Sequence, residues 1–226
     1  ISVHKADCER LIAAHEANPD LVFAAMFNQR TDPYYQKIKS MVDGGELGDF
    51  LRISWIITTW FRTQAYYDSG GWRATWGGEG GGVLLNQCPH NLDLLQWICG
   101  LPSMVRGFGA IGKHHKIEVE DEVTAYMEYP GGCTGIFVTT TGEAPGSNRF
   151  EICGDKGKLV YENNTLTFTK NLTPATEFLN TCERSFARPE TEVEKRVARV
   201  FLARLANWGT REQGLRFDLK QSAGDD

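Results

Sequence analysis

GGEGGGVLLNQCPHNLDLLQW, residues 77–97, is the stretch on which the reading of this chain turns. Five of its first six residues are glycine, and His90 follows on what the spacing predicts to be a helix. Three readings compete: a phosphate-cradling loop, a helix that carries chemistry, or a turn before a core helix. The phosphate loop fails on spacing. A dinucleotide fingerprint needs G-x-G-x-x-G directly after a buried strand. From Gly78 the pattern reaches Gly80 but then Val83, and the preceding WRATW is not such a strand. The nucleoside-triphosphate form fails too, because no Gly-Lys-Ser/Thr follows. Glycine here does something simpler: lacking a Cβ, it lets the backbone come close to a ligand or to another segment.

Beyond the glycines the pattern has two faces. Leu85, Cys88, Leu92, Leu95 and Cys99 form an apolar stripe. Asn86, His90, Asp93 and Trp97 recur at helical spacing as a polar line. Pro89 lacks a backbone donor and clashes with the carbonyl of Leu85, so a helix kinks there or begins there. A lone helical histidine is more often structural than catalytic. His90 stands above that baseline because a glycine-lined approach precedes it and polar residues flank it. Imidazole is the side chain that takes and returns a proton near neutral pH.

Upstream, residues 2–20 predict a helix capped by Ser2, with Val3, Leu11, Ile12 and Ala14 on its apolar side. LVFAAMF, residues 21–27, predicts a buried parallel strand, being apolar without alternation. A helix feeding a parallel strand that has no sheet partners implies a chain opening inside an α/β domain. TDPYYQKIKSMVDGGELG predicts a second helix, with Asp32 as N-cap, Pro33 at its first position and Gly44-Gly45 at its end. Tyr34, Ile38, Met41 and Val42 give its apolar face. From FLRISWIITTWF onward strands dominate, and YPGGC and ENNTL read as hairpin connections. The expected architecture is α+β: an open, mostly antiparallel sheet of roughly seven strands with helices on one face. Near the end, Val193, Val197, Val200, Phe201, Leu205 and Trp208 predict a docking helix.

WFRTQAYYDSGGWRATW, residues 60–76, reads as a loop holding three Trp, two Tyr, two Arg and a Gln. Aromatic faces stack on the C–H faces of sugars, while Arg and Gln bind hydroxyls, carboxylates or phosphates. Arg62, Gln64, Tyr66, Tyr67 and Arg73, with Asp93 of the polar line, are the candidate substrate contacts. The bland alternative is an aromatic loop packed on its own sheet. Asn28 and Arg30 follow the 21–27 strand at its C-terminal end, where doubly wound sheets bind ligands, and are candidate contacts to a cofactor or substrate. His114 and His115 with Glu118, Glu120 and Asp121 match no tight metal motif, so no metal is expected and a solvated hairpin end is the better reading.

Composition narrows the class. The chain has 226 residues, 41% hydrophobic and 23% charged, with a net charge of −5. No Lys/Arg run predicts nucleic-acid or anionic-membrane binding. No apolar stretch nears the roughly 20 residues of a membrane span, and no secretory pattern opens the chain. The six scattered cysteines contain no C-x-x-C, which favours a reducing, cytoplasmic setting.

At this point the pieces resemble a known family. GGGVLLNQCPHNLDLLQW is similar to the signature helix of the Gfo/Idh/MocA oxidoreductases, glycines followed by Asp/Asn-x-x-x-His. FNQRTDPYYQKIKSMVDGGELGDFLRI resembles that family's crossover between domains, IEVEDEVTAYMEYPGGCTGIFVTTTGE its strand pair, and FEICGDKGKLVYENNTL its G-x-x-G-x-L hairpin. The resemblance covers residues 1 to about 170. It implies a Rossmann domain that binds NAD or NADP, of which residues 1–30 are the remnant, and a substrate-binding and oligomerisation domain, residues 31–226. It implies hydride transfer at a carbinol carbon of a sugar, sugar derivative or cyclitol. The catalytic Asp/Asn and His carry over to Asn86 and His90. The family's catalytic lysine and its glycine fingerprint are expected upstream of Ile1, so these residues alone are expected to be inactive. A homodimer or homotetramer through the antiparallel sheet is implied as well. Two alternatives stay open: glycoside cleavage through transient oxidation by NAD, and a non-catalytic sugar-binding or oligomerisation module.

Overall fold

In the computed structural model, which describes residues 2–196, an open sheet carries helices on one face. The chain runs through α1 (Lys5–Glu16), a 3-10 turn (Asn28–Thr31), α2 (Pro33–Asp43), β1 (Phe50–Ile57), α3 (Gln64–Asp68), α4 (Val83–Asn86) and α5 (Pro89–Cys99). It continues through β2 (Met104–Ile111), β3 (Glu120–Glu128), β4 (Thr134–Thr140), β5 (Asn148–Gly154), β6 (Gly157–Glu162), β7 (Thr165–Asn171), α6 (Ala175–Thr181) and β8 (Thr191–Arg196). The strands lie in the order β2-β3-β4-β1-β5-β6-β7-β8. All neighbours are antiparallel except β1 and β4, which run parallel.

Local chemistry accounts for α2. The Asp32 carboxylate accepts the Tyr34 N–H at 2.8 Å, and Pro33 occupies the first turn, where its missing donor costs nothing. Replacing Asp32 by alanine is expected to lower stability by about 1 kcal/mol, read as a lower denaturation midpoint. An unchanged midpoint would show that the cap contributes nothing.

Strand alternation builds the core. Ile53, Trp55 and Ile57 of β1 face the helices, while Arg52, Ser54 and Ile56 face the other way. Trp55 is fully buried and stacks on Phe150 at 4.5 Å between ring centres. Its Nε1 donates to Asn148 Oδ1 at 3.0 Å. Tyr35, Ile38 and Met41 from α2 and Leu94, Leu95 and Ile98 from α5 complete the packing. On the open face Glu151 lies between Arg52 and Arg149. Phe108, Ile136 and Val193 are exposed on that face.

Four expectations are corrected. Residues 21–27 form no strand: no segment among the described residues pairs with them, and Leu21, Val22 and Met26 are exposed. A parallel strand exists only through its neighbours, and apolar composition alone does not make one. Residues 191–196 are β8, pairing with β7, and not the start of a helix; the rest of that expected helix lies outside the described residues. The sheet therefore has eight strands among the described residues. Ser2 does not cap α1, whose N-cap is His4; the Ser2 hydroxyl donates to Asp7 instead. The stripe of the signature helix is also reset. Its buried residues are Asn91, Leu94, Leu95 and Ile98, with Leu85 and Leu92 exposed, because the helix restarts at Pro89 and loses phase with the turn before it.

Candidate active site

The candidate residues gather at the end of the sheet where β1 and β4 finish. There Cys88 lies 3.2 Å from the Thr139 hydroxyl, and the Arg62 N–H donates to the Thr141 carbonyl at 2.9 Å. The Tyr34 hydroxyl, at the start of α2, donates to the Asn164 carbonyl on the β6–β7 hairpin at 2.6 Å. A cleft of about 340 Å³ opens at the same end, lined among others by Asn148, Tyr161, Glu162 and Asn164.

The glycine run serves close packing. A Cβ on Gly82 would sit 1.9 Å from the Glu120 carbonyl oxygen, and one on Gly80 would sit 2.2 Å from Val3 Cγ1. The Glu120 carboxylate accepts the N–H groups of Gly82 at 2.9 Å and Leu84 at 3.2 Å, fixing the start of α4. Pro89 then opens α5 and sets His90 in its first turn. His90 Nδ1 is buried with no hydrogen-bond partner, and Phe27 packs edge-on against the ring at 5.7 Å. Nε2 is left as the nitrogen able to meet a ligand.

The other members of the polar line part company with His90. Asn86 belongs to α4 and turns to the loop: its amide donates to Glu79, and its oxygen accepts from Gln87 Nε2 at 2.7 Å and from the Tyr66 hydroxyl at 3.4 Å. Asp93 is held by Arg30 in a two-pronged pair, Nε to Oδ2 at 2.8 Å and a terminal nitrogen to Oδ1 at 2.5 Å. The Arg30 guanidinium lies 5.5 Å from the Trp97 ring centre. The pair ties the 3-10 turn, and Phe27 just before it, to α5. Asn28 is exposed, and its carbonyl accepts the Thr31 hydroxyl at 2.7 Å.

The aromatic loop divides in the same way. Arg62 and Arg73 both lie against Tyr66, at 5.1 and 4.6 Å from the ring centre. Arg73 also donates to the Tyr66 hydroxyl at 3.0 Å. Gln64 is engaged inside the protein, donating to Asp68 at 2.9 Å and accepting the Lys116 N–H at 2.8 Å. Tyr67 turns inward on the short helix α3, buried with its hydroxyl donating to Thr141 at 2.8 Å. Both side chains are thus engaged within the protein, Gln64 with Asp68 and Lys116 and Tyr67 with Thr141.

His115 departs from the hairpin reading. Its side chain is 6% exposed and lies on the fully buried Asp121, while Lys113, His114, Lys116 and Glu118 of the same connection are exposed. Nδ1 lies 3.0 Å from the fully buried Asp121 carboxylate, and Nε2 lies 2.9 Å from the Arg62 carbonyl. The Asp121 carboxylate also accepts the N–H groups of Lys113, His114 and His115. Burial alone would push this carboxyl up, but those hydrogen bonds outweigh it and hold it below the ordinary range. A depressed carboxyl stabilises the fold fully above its unfolded value, near 3.9, and less as pH falls through the lower folded value. The wild type is therefore expected to lose stability in acid by more than an Asp121→Asn variant does, read as denaturation midpoints from neutral pH downward. Parallel acid curves would refute this role. Sequence spacing did not reveal Phe27, Glu79, Glu120 or the His115–Asp121 pair. Glu79 alone carried a signal, as the one charge inside the glycine run. Among the described residues no group of three or more His, Cys, Asp and Glu is placed to hold a metal.

The model of the GFO/IDH/MocA C-terminal domain matches residues 35–160, more than half of the chain. The chain belongs to the Gfo/Idh/MocA family. Trans-1,2-dihydrobenzene-1,2-diol dehydrogenase from Bos taurus is 28% identical over 157 residues, covering 70% of this chain and 44% of that protein. A WlbA dehydrogenase from Bordetella pertussis, solved with NADH and UDP-GlcNAcA, aligns with a TM-score of 0.64 and 26% identity over 70% of this chain and 45% of that one. Levoglucosan dehydrogenase, solved with NADH and levoglucosan, shares the fold at a TM-score of 0.62, with 20% identity over 82% of this chain and 51% of that one. The chain spans about half the length of the relatives it matches. Within this Gfo/Idh/MocA chain, the eight-stranded sheet is the family's C-terminal domain and carries the glycine run and His90.

Proposed function

We propose that this protein is an NAD(P)-dependent oxidoreductase that moves a hydride at a carbinol carbon of a sugar, sugar derivative or cyclitol. The observation that carries the reading is His90. It sits in the first turn of α5, with Nδ1 buried and unpartnered and Nε2 left to meet a ligand. Residues 1–30 are read as the end of a dinucleotide-binding domain. The apolar, unpaired segment 21–27 fits a strand whose neighbours belong to that domain.

The residues present fit the nicotinamide end of such a cofactor. Phe27 and Asn28 end the extended segment beside His90, and Arg30 braces them through Asp93. No pyrophosphate cradle is offered by the glycines, which press against Val3 and Glu120. When bound, the cofactor supplies hydride acceptance. His90 Nε2 takes the hydroxyl proton of the reacting carbinol. Asn86 holds Tyr66 in place and does not act as a base. The exposed aromatics Phe61, Trp72 and Trp76 stack on the sugar, and Arg62, Tyr66 and Arg73 fix its polar substituents. The open sheet face, with Phe108, Ile136 and Val193 exposed, is the surface that pairs subunits into a dimer or tetramer. Six unpaired cysteines suit a reducing cytoplasm.

The neighbours solved with NADH support the cofactor class, and UDP-GlcNAcA and levoglucosan in them support the substrate class. The test is a screen of sugars and cyclitols with NAD+ and NADP+, using the complete protein with its dinucleotide-binding domain and following reduced cofactor. Cofactor reduction by at least one of these substrates is expected. No reduction with any of them, in a protein that binds NADH, would overturn the assignment.

A further inference from the structure

We propose that the substrate of this site carries an anionic substituent, a carboxylate or a phosphate, and that Arg62 and Arg73 hold it. This deepens the sugar-oxidoreductase reading and rests on it. Two guanidinium groups lie against one ring, that of Tyr66, at 5.1 and 4.6 Å from its centre. Like charges placed together in this way call for a counter-ion. Among the described residues no carboxylate supplies one. Arg30, Arg52 and Arg149 each hold an acid, whereas Arg62 and Arg73 form no ion pair. Among the described residues the Arg62 guanidinium donates only to the neighbouring Phe61 carbonyl and the Arg73 guanidinium only to the Tyr66 hydroxyl.

The acids of the surrounding loops are committed elsewhere, which is what makes the pair informative. Glu79 accepts from Asn86 and from the Ala74 N–H. Glu118 accepts the Trp76 N–H, and Glu120 those of Gly82 and Leu84. Asp68 takes Gln64, and Asp121 takes the His115 loop. Each serves as an acceptor for loop groups, which leaves both guanidinium groups without an acid partner among the described residues. Their positions are set from behind. Arg62 is gripped at both backbone groups, its N–H by Thr141 and its carbonyl by His115. Arg73 lies 4.5 Å from the Trp72 ring centre as well as against Tyr66, so its guanidinium plane is held before any ligand arrives. Held guanidinium forks with free N–H edges match carboxylate and phosphate oxygens. Tyr66 links them to Asn86 of the signature segment, its hydroxyl donating to the Asn86 side-chain oxygen at 3.4 Å.

The test compares sugars that differ only in charge, D-glucose, D-glucuronate and D-glucose 6-phosphate, with the matching galactose, galacturonate and galactose 6-phosphate. Calorimetric titration into the complete protein loaded with NADH gives each dissociation constant. At least one acidic member is expected to bind tenfold or more tightly than its neutral parent. Preference for the uronates identifies a carboxylate, and preference for the phosphates identifies a phosphate. Arg62→Gln is expected to remove most of that preference by weakening the acidic ligand at least tenfold more than the neutral sugar, and Arg62→Lys to restore part of it. Added potassium chloride should weaken only the acidic ligands. Arg73→Gln serves as the second variant if it folds, and Arg62→Gln, at a half-exposed position, decides the matter if it does not. Neutral sugars that bind as tightly as their acidic forms, or a preference that survives Arg62→Gln, would overturn the anion assignment while leaving the sugar site standing. Binding of none of the six would overturn both.

Discussion

Replacing His90 with asparagine is expected to lower kcat by about a hundred- to ten-thousand-fold while the protein stays folded. The size follows from its position. Removing a positioned acid or base costs that range because the proton must then leave to water, which is neither held nor oriented. His90 is suited to the task by what surrounds it: Nδ1 is buried with no partner, and Phe27 fixes the ring at 5.7 Å, so a single nitrogen is offered to the substrate. The fold should tolerate the change. The His90 side chain forms no hydrogen bond within the described residues, and only the ring contact with Phe27 is lost, about 0.5–1.5 kcal/mol. Steady-state kinetics beside a denaturation curve separate the two effects. A variant that keeps wild-type kcat would remove His90 from the chemistry. One that loses activity only together with its folded state would make it a core histidine.

Gly82→Ala is expected to destabilise the protein by about 3 kcal/mol and to disturb the site as well. The new Cβ would sit 1.9 Å from the Glu120 carbonyl oxygen and 2.8 Å from its carbon, distances that real side chains do not tolerate. Something must move, and β3 cannot easily do so because it is paired with β2 on one side and β4 on the other. The start of α4 therefore yields. It then loses the Glu120 carboxylate that accepts from Gly82 and Leu84, and the displacement passes through Pro89 to His90. Gly77→Ala is the control. Nothing lies within 4 Å of a Cβ there, so the same change in the same glycine run should shift stability by less than about 0.5 kcal/mol. Equal effects of the two would mean that the run acts through flexibility, not close packing. Chemical denaturation midpoints with unchanged m-values distinguish these outcomes.

Local rules carried most of the fold. Asp32, Pro33 and the Gly44 pair bounded α2 because capping and proline chemistry act within one turn. The hairpins and alternating strands were legible for the same reason. Segments whose state depends on distant partners misled. Residues 21–27 have the composition of a buried strand, yet nothing in the described chain pairs with them. Val193 was placed on a helix by its spacing to residues beyond the described part, but Thr191–Arg196 finds β7 beside it and extends. At the site, the helix that carries His90 was legible from its motif, whereas the Arg30–Asp93 pair joins residues 63 apart in sequence and belongs to packing alone. The partners of Gln64 and Tyr67 were not legible, because α3 turns their side chains toward Lys116 and Thr141, which no composition rule foresees. The family resemblance rested on motifs that survive in order, and the match over residues 35–160 agrees with it.

The measurement that tests the central claim most directly is the stoichiometry of a full conversion, counting reduced cofactor and consumed sugar in the complete protein. Hydride transfer as the net reaction, with His90 as proton acceptor, predicts one reduced cofactor for each sugar oxidised. Sugar consumed with no net reduced cofactor would contradict it, and would instead point to cleavage through transient oxidation on the same fold.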